Sequence, residues 1–267
     1  MTLTTPTGDE SLVARLRESP LVIMLDVDGT LAPIAQRFDE AMVPVTTQRV
    51  VAALSACEGV RVVLVSGRAA RVARHMVSVA NVWAIGNHGF EVMGPDGEER
   101  NPAGGVDQRP AVAQAARRLE PLLSPVPGVM LEDKSWTLSV HYRLADPAVL
   151  PRLRSAIEEV ITPLGLRVTE GKKVFEVRPV ARVDKGTAVL AMGKELGGLP
   201  SSGSGALVYI GDDVTDEDAF RALRAQACDA VTVRVTHNEP AVTSAEYTLP
   251  DPDAVRRFLE WVLAIRE

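Results

Sequence analysis

The sequence predicts an α/β fold, a parallel-sheet core interrupted by an inserted α+β domain. Three observations carry the prediction. Short apolar runs at 21–25, 60–65 and 206–210 each end abruptly in a polar cluster: Asp26, then Ser66-Gly67-Arg68, then Gly211-Asp212-Asp213. Such continuous runs suit strands buried on both faces, as in a parallel sheet. Helical periodicity fills most of the intervals between them, and the middle of the chain changes to the order αββαββ, which suits an antiparallel sheet with helices on one face.

Taken in order, the first ten residues are polar and expected to be loose, and 21–25 is the first strand. A helix at 47–57 follows, with Val50, Val51 and Leu54 at helical spacing. The second strand is 60–65 and the next helix 68–79. A weaker strand at 82–85 leads into Gly86-Asn87-His88-Gly89. Residues 107–179 are expected to form the inserted domain, and 1–106 with 180–267 the core. The insert reads as a helix at 110–123, two extended stretches within 129–144, and an amphipathic helix at 147–161. Its apolar stripe is Leu150, Leu153, Ile157, Val160 and Ile161. Strands at 166–169 and 173–177 then flank a turn at Glu170-Gly171-Lys172. The core resumes with a helix at 185–196, a flexible loop at 197–205, the strand at 206–210 and a last helix at 253–265.

Bulk properties narrow the function classes. The chain has 267 residues, 46% of them apolar, with a net charge of -6, mixed signs and no long basic run. That argues against nucleic acid or an anionic membrane as a partner. Cys57 and Cys228 have no CxxC spacing, which points to buried free thiols in a reducing compartment. The run at 21–25 is too short for a signal peptide or a membrane span. A soluble, cytoplasmic protein is the expectation, with a monomer favoured.

Ligands of parallel sheets sit beyond the carboxyl ends of the strands, so the polar clusters should converge on one site. Asp26 and Asp28 are two apart, and on an extended chain their side chains point the same way. Gly29 allows a sharp turn and Thr30 offers a hydroxyl to a phosphate. Two carboxylates that close ionise together only beside a cation, and Mg²⁺ with its preference for oxygen ligands resolves the conflict. Asp26 could then attack phosphorus, with Asp28 protonating the leaving oxygen and later deprotonating water.

Ser66 at a helix start suits a phosphate, or is a plain helix cap. Arg68 is in reach of the phosphate or of the inserted domain, or is a surface residue. In the acidic stretch 211–218, Thr215 and Asp218 have capping-box spacing. Asp212 and Asp213 precede that turn and are better metal-ligand candidates. Asp212 would bind the ion directly, while Asp213 or Asp216 would orient its waters. Lys185, in Asp184-Lys185-Gly186, could neutralise charge on Asp26 and on the phosphoryl group. Trp136 and Tyr142 could stack on a sugar or pack the insert's core. His88 could stand at the junction of core and insert, or be structural.

Asp26-Val27-Asp28-Gly29-Thr30, Ser66, Lys185 and Gly211-Asp212-Asp213 together resemble the four ordered motifs of the haloacid-dehalogenase-like phosphatases. Longer strings are similar to the trehalose-6-phosphate phosphatases within that superfamily. They are 26–34 (DVDGTLAPI), 66–68, 86–89, Glu132-Asp133-Lys134 with His141-Tyr142-Arg143, 174–179 (VFEVRP) with 184–186, and 209–220 (YIGDDVTDEDAF). The likeness runs from about residue 21 to 220. Val27 departs from it, since many relatives carry tyrosine there.

The resemblance implies a Rossmann-like core with an inserted cap and Mg²⁺-dependent hydrolysis of trehalose 6-phosphate to trehalose and phosphate through an aspartyl-phosphate. It implies Asp26 as nucleophile and metal ligand, and Asp28 as acid/base and metal ligand through its backbone carbonyl. Asp212 is the third metal ligand, and Thr30, Ser66 and Lys185 bind phosphate. Glu132, Lys134 and Glu176 recognise the sugar. A phosphatase for another sugar phosphate and a non-catalytic sensor are the competing readings.

Overall fold

The computed structural model describes residues 9–34, 41–100, 107–171, 173–180, 183–199, 204–226, 229–240 and 242–267. They divide into two compact units, Met1–Ala103 with Val183–Glu267, and Gly104–Arg182. The chain enters through α1 (Glu10–Arg17), β1 (Leu21–Asp26), α2 (Val45–Ala56), β2 (Val60–Val65) and α3 (Ala70–Val77). Next come β3 (Trp83–Gly86) and the short strands β4 (Glu91–Met93) and β5 (Glu99–Arg100). The second unit holds α4 (Arg109–Leu123), β6 (Met130–Asp133), β7 (Leu138–His141), α5 (Leu150–Ile161), β8 (Leu166–Gly171) and β9 (Val174–Pro179). The first unit then resumes with α6 (Lys185–Glu195), β10 (Ala206–Gly211), α7 (Val214–Ala225), β11 (Val231–Val235), β12 (Tyr247–Leu249) and α8 (Pro252–Arg266).

The sheet of the first unit has eight strands in the order β12-β11-β10-β1-β2-β3-β4-β5. It is parallel from β12 to β3, and β4 and β5 add an antiparallel edge. Because β1 lies between β10 and β2, strand order reverses around it, which opens a crevice at its carboxyl end. The alternation along β1 explains its unbroken apolar run. Leu21, Ile23 and Leu25 pack into the core on one face of the sheet. Val22 and Met24 pack into the core on the other. Neither face of this strand meets water, so neither tolerates a polar residue until the chain reaches the strand end.

In the second unit, β6-β7-β9-β8 form an antiparallel sheet. Its core unites Val112, Ala115 and Leu119 of α4 with Leu153, Ile157 and Ile161 of α5 and with Leu138, Val140, Phe175 and Val177 of the sheet. Both helices therefore cover the face that carries the apolar half of each strand.

Several expectations need correction. The helix expected from residue 68 begins at Ala70, because Arg68 donates its N–H to Ser66 Oγ (3.1 Å) and holds the preceding residues in a turn. The helix expected at 147–161 is a 3₁₀ turn, Pro147–Val149, followed by α5. The turn expected at Glu170-Gly171-Lys172 is displaced, since β8 runs through Gly171 and Lys173 carries the positive φ of 66°; Lys172 lies outside the described residues. The helix after β10 starts two residues earlier than the Thr215/Asp218 spacing suggests. Asp213 is its N-cap, accepting from Thr215 N–H at 3.2 Å, and Asp216 closes the box by accepting Asp213 N–H at 2.9 Å.

Tyr142 belongs to the second unit's core, packed 4.5 Å from Phe175, whereas Trp136 is buried outside that cluster, with the Arg109 guanidinium 4.7 Å over its ring. Cys57 is half-buried, with its thiol 3.4 Å from Ala53 O. Cys228, residues 1–8 and 200–203 of the expected loop lie outside the described residues. Among the described residues no helix is long and apolar enough to cross a membrane.

Candidate active site

The site forms where β1 ends. Asp26 is its last residue and is 4% exposed. The chain then folds into a tight turn in which Leu31 and Ala32 donate to Val27 O and Gly29 donates to Ala32 O. Asp28 therefore leaves the strand and sits in a bridge opposite Ala32. Gly29 holds φ +85°, and a Cβ there would lie 2.2 Å from Asp212 Oδ2. Both constraints act against any side chain. Gly29→Ala is expected to displace Asp212 and lower kcat by about 100-fold, the cost typical of a ~1 Å misplacement in a preorganised site. Unchanged kcat in steady-state assays, with the fold intact by circular dichroism, would count against that packing.

Lys185 is the electrostatic centre of the site. Asp184 caps α6 through Thr187 N–H at 2.7 Å, which places Lys185 in the first helical turn with its chain directed inward. It is 2% exposed, and its Nζ donates to Asp26 Oδ1 and Asp216 Oδ1, each at 2.7 Å. Asp216 is fully buried and accepts four hydrogen bonds: from Lys185, from Tyr209 Oη (2.6 Å), and from the N–H groups of Asp212 (3.0 Å) and Asp213 (2.9 Å). Burial pushes Asp26 well above the usual carboxylate range. Lys185 opposes that shift, while Asp216 and Asp212 add to it. Burial also raises Asp212. For Lys185 burial works against the charge, but Asp216 and Asp26 outweigh it and hold the ammonium above its ordinary pKa. One buried cation thus faces several carboxylates, an excess of negative charge that a further cation relieves.

Carboxylate atoms of Asp26, Asp212 and Asp216 lie within 4.8 Å of one another, the metal-sized cluster found among the described residues. Asp216 has both oxygens committed to protein donors. Asp26 Oδ2 and Asp212 Oδ1, by contrast, are buried without a hydrogen-bond partner among the described residues, as is Thr30 Oγ1. Orphaned buried oxygens are costly unless something else satisfies them. An all-oxygen donor set of this kind fits a hard divalent cation. Asp28 does not join the cluster through its carboxylate, which is clamped by Arg68 Nε and Nη2, both at 2.7 Å.

The second and third strand ends are tied together. Ser66 is 1% exposed at the end of β2, and its carbonyl accepts from His88 N–H while Arg68 O accepts from Asn87 N–H. His88 holds φ +56°, with its ring against Gly67, where a Cβ would lie 2.5 Å from His88 Cε1. The first unit therefore brings together Asp26, Lys185 and Asp212, and separately pairs Asp28 with Arg68.

Some residues of the site have no counterpart among the sequence expectations. Tyr209, in β10, opens the 209–220 string without a role of its own there, and its hydroxyl donates to Asp216 Oδ1 at 2.6 Å. His237, after β11 and at φ +53°, places Nε2 3.0 Å from Asp212 Oδ2. Arg234 donates to Asp213 O at 2.6 Å. Glu91 accepts Ala70 N–H and so secures the start of α3 behind Ser66. The available signal was weak: His237-Asn238 is a polar pair at a strand end, the same pattern that marks the other clusters.

The second unit carries its own polar cluster. Glu132, Ser139 and Glu176 occupy one cross-strand row of β6, β7 and β9. Lys134 lies just beyond β6, 12% exposed, with Nζ 3.9 Å from Glu132 Oε2 and 3.7 Å from Glu176 Oε1. Glu132, Lys134 and Glu176 are thus together on one face of the sheet, opposite the apolar core.

A family model described as Trehalose-phosphatase matches residues 24–253, most of both units. Trehalose-phosphate phosphatase B of Arabidopsis thaliana is 34% identical over 265 residues, covering 94% of this chain and 68% of the plant protein. Trehalose-phosphate phosphatase of Mycobacterium avium is 36% identical over 243 residues, covering 89% of this chain and 61% of its own length. A solved structure titled as a trehalose-6-phosphate phosphatase related protein superposes with a TM-score of 0.74 at 26% identity, covering 91% of this chain and 97% of that one. The family model spans both the strand-end aspartates and the antiparallel insert that the geometry singled out, and the chain belongs to the trehalose-phosphatase family of phosphatases, within the haloacid-dehalogenase-like superfamily.

Proposed function

We propose that this chain hydrolyses trehalose 6-phosphate to trehalose and phosphate in two steps on Asp26. The observation that carries the reading is the buried Asp26 carboxylate, with Oδ1 fixed by Lys185 and Oδ2 left without a protein partner. Fixing one oxygen orients the other for in-line attack on phosphorus, and burial removes the water that would blunt it. The bond from Asp26 to phosphorus forms as the bond from phosphorus to the sugar oxygen breaks, and Asp28 gives that oxygen its proton. Water then attacks the aspartyl-phosphate while Asp28, now a carboxylate, takes a proton from that water, and the bond from Asp26 to phosphorus breaks to release phosphate and the Asp26 carboxylate.

Asp28 can act only after exchanging its Arg68 partner for the leaving oxygen. Arg68, once released, joins Thr30, Ser66 and Lys185 as a group available to the phosphate. Asp26, Asp212 and the Asp28 carbonyl are the proposed Mg²⁺ ligands. The ion would neutralise charge between nucleophile and phosphate and polarise the phosphoryl oxygens. Glu132, Lys134 and Glu176 are proposed to bond the sugar hydroxyls, where charged partners give strong, directional contacts. Such a substrate is a small soluble metabolite, in keeping with a cytoplasmic enzyme.

Phosphate release with Mg²⁺ across trehalose 6-phosphate, sucrose 6-phosphate, glucose 6-phosphate and mannosyl-3-phosphoglycerate tests the proposal. Trehalose 6-phosphate is expected to have the highest kcat/KM, and a chelator is expected to abolish turnover. A clear preference for another ester would overturn the substrate assignment while leaving the phosphatase assignment in place.

A further inference from the structure

We propose that Ser139 and His141, both on β7, are positioning residues that set sugar specificity by fixing one oxygen on each of the carboxylates Glu176 and Glu132. The inference rests on the substrate reading above and assigns it two residues that reading does not use.

The middle strand places both groups. β7 lies between β6 and β9, so Ser139 stands directly opposite Glu132 on one side and Glu176 on the other. His141 is two residues along and shares the face. The alternate residues Leu138 and Val140 point into the apolar core and hold the strand. Packing therefore needs nothing polar at 139 or 141.

Both side chains nonetheless bind carboxylates. Ser139 is fully buried and its hydroxyl donates to Glu176 Oε1 at 2.9 Å. Glu176 Oε2 is buried with no hydrogen-bond partner among the described residues, which leaves it as a directed acceptor. His141 Nε2 lies 2.8 Å from Glu132 Oε2. A carboxylate with one oxygen tied presents the other in a fixed direction, and a ligand hydroxyl then binds without the cost of ordering that side chain. The spacing follows from the sheet. Glu132 and Glu176 are two strand spacings apart, about 10 Å at the backbone, with Lys134 Nζ within 3.9 Å of both carboxylates. A row of acid, hydroxyl, acid flanked by one ammonium is built to read several hydroxyls of a sugar at once, and such sites discriminate strongly because a missing hydroxyl leaves buried groups unpaired.

The test uses the full chain and the variants Ser139→Ala, His141→Ala and His141→Gln, the last retaining an N–H donor near the Nε2 position. Kinetics are measured with trehalose 6-phosphate and with p-nitrophenyl phosphate, which has no sugar. The two alanine variants are expected to raise KM for trehalose 6-phosphate roughly tenfold with kcat changed less than about twofold, the worth of one hydrogen bond to a charged group. The ratio of kcat/KM between the two substrates falls with KM, and His141→Gln restores most of it. An unchanged ratio in a wild type that prefers trehalose 6-phosphate overturns the positioning role, as does equal loss on both substrates. If the wild type shows no preference for trehalose 6-phosphate, the substrate reading fails first and the inference falls with it.

Discussion

Replacing Asp26 with asparagine is expected to remove phosphatase activity by at least about 10⁴-fold while leaving the protein folded. Loss of a nucleophile in a covalent mechanism costs on this scale because no neighbouring group can take its place. Asp212 and Asp216 are close by, but Asp216 has both oxygens occupied by Lys185, Tyr209 and two backbone N–H groups. The fold survives because the substitution keeps the volume and removes a charge that burial disfavours. Lys185 also retains its 2.7 Å partner Asp216. Acid-quenched mass spectrometry gives the second readout: wild type accumulates a phosphorylated peptide containing Asp26 and the variant does not. Activity within tenfold of wild type would eliminate the covalent mechanism on this residue.

Lys185→Met is expected to damage stability and catalysis together. Methionine fills much of the same space but supplies no charge, so Asp26 and Asp216 lose their shared cation at a site that is 2% exposed. Removing one member of a buried pair typically costs about 3–5 kcal/mol, because the remaining charge is left without a partner. In a protein of this size that corresponds to a fall in Tm of roughly 10 °C by calorimetry. Catalysis should fall by a further factor of about 10²–10³, the usual consequence of losing one preorganised donor to a developing charge. A shift below about 2 °C would mean that Lys185 contributes little to the folded state, contrary to its geometry.

The parts of the fold legible in the sequence were those set by local pattern. β1 and β10 stand out because they are buried along their whole length, and β2 because it is buried at every position but Arg61, so apolar residues run almost unbroken until each strand ends. α4 and α5 are legible for the complementary reason, that only one face of each is covered. β11 and β12 lie nearer the sheet edge and are short, with Arg234 and Thr248 interrupting their apolar residues, so no continuous run marks them. α1 is eight residues long and anchors from afar, through Arg15 to Glu246 at 2.8 Å.

The same division runs through the site. The order of residues named by resemblance, from Asp26 through Lys185 to Asp212, can be read along the chain. What each acid does cannot. Spacing alone assigned the helix cap to Thr215 and Asp218, whereas Asp213 holds it, because the chain turns as soon as β10 ends. His237 reaches Asp212 from 25 positions away, and Lys185 reaches Asp26 across 159. Ser139 meets Glu176 only through the register of β7 and β9, a pairing that a slip of one residue would turn to the other face.

Burial of the central strands gathers polar residues at their carboxyl ends, so the chemical groups that stand there are legible along the chain. Tertiary structure decided which of them remain available. Asp26 and Asp212 each keep a buried oxygen without a protein partner, while Asp216 is tied on both. Burial and partner count arise from segments brought together only on folding, and they separate Asp26 and Asp212, the proposed nucleophile and metal ligand, from the carboxylate that holds the lysine.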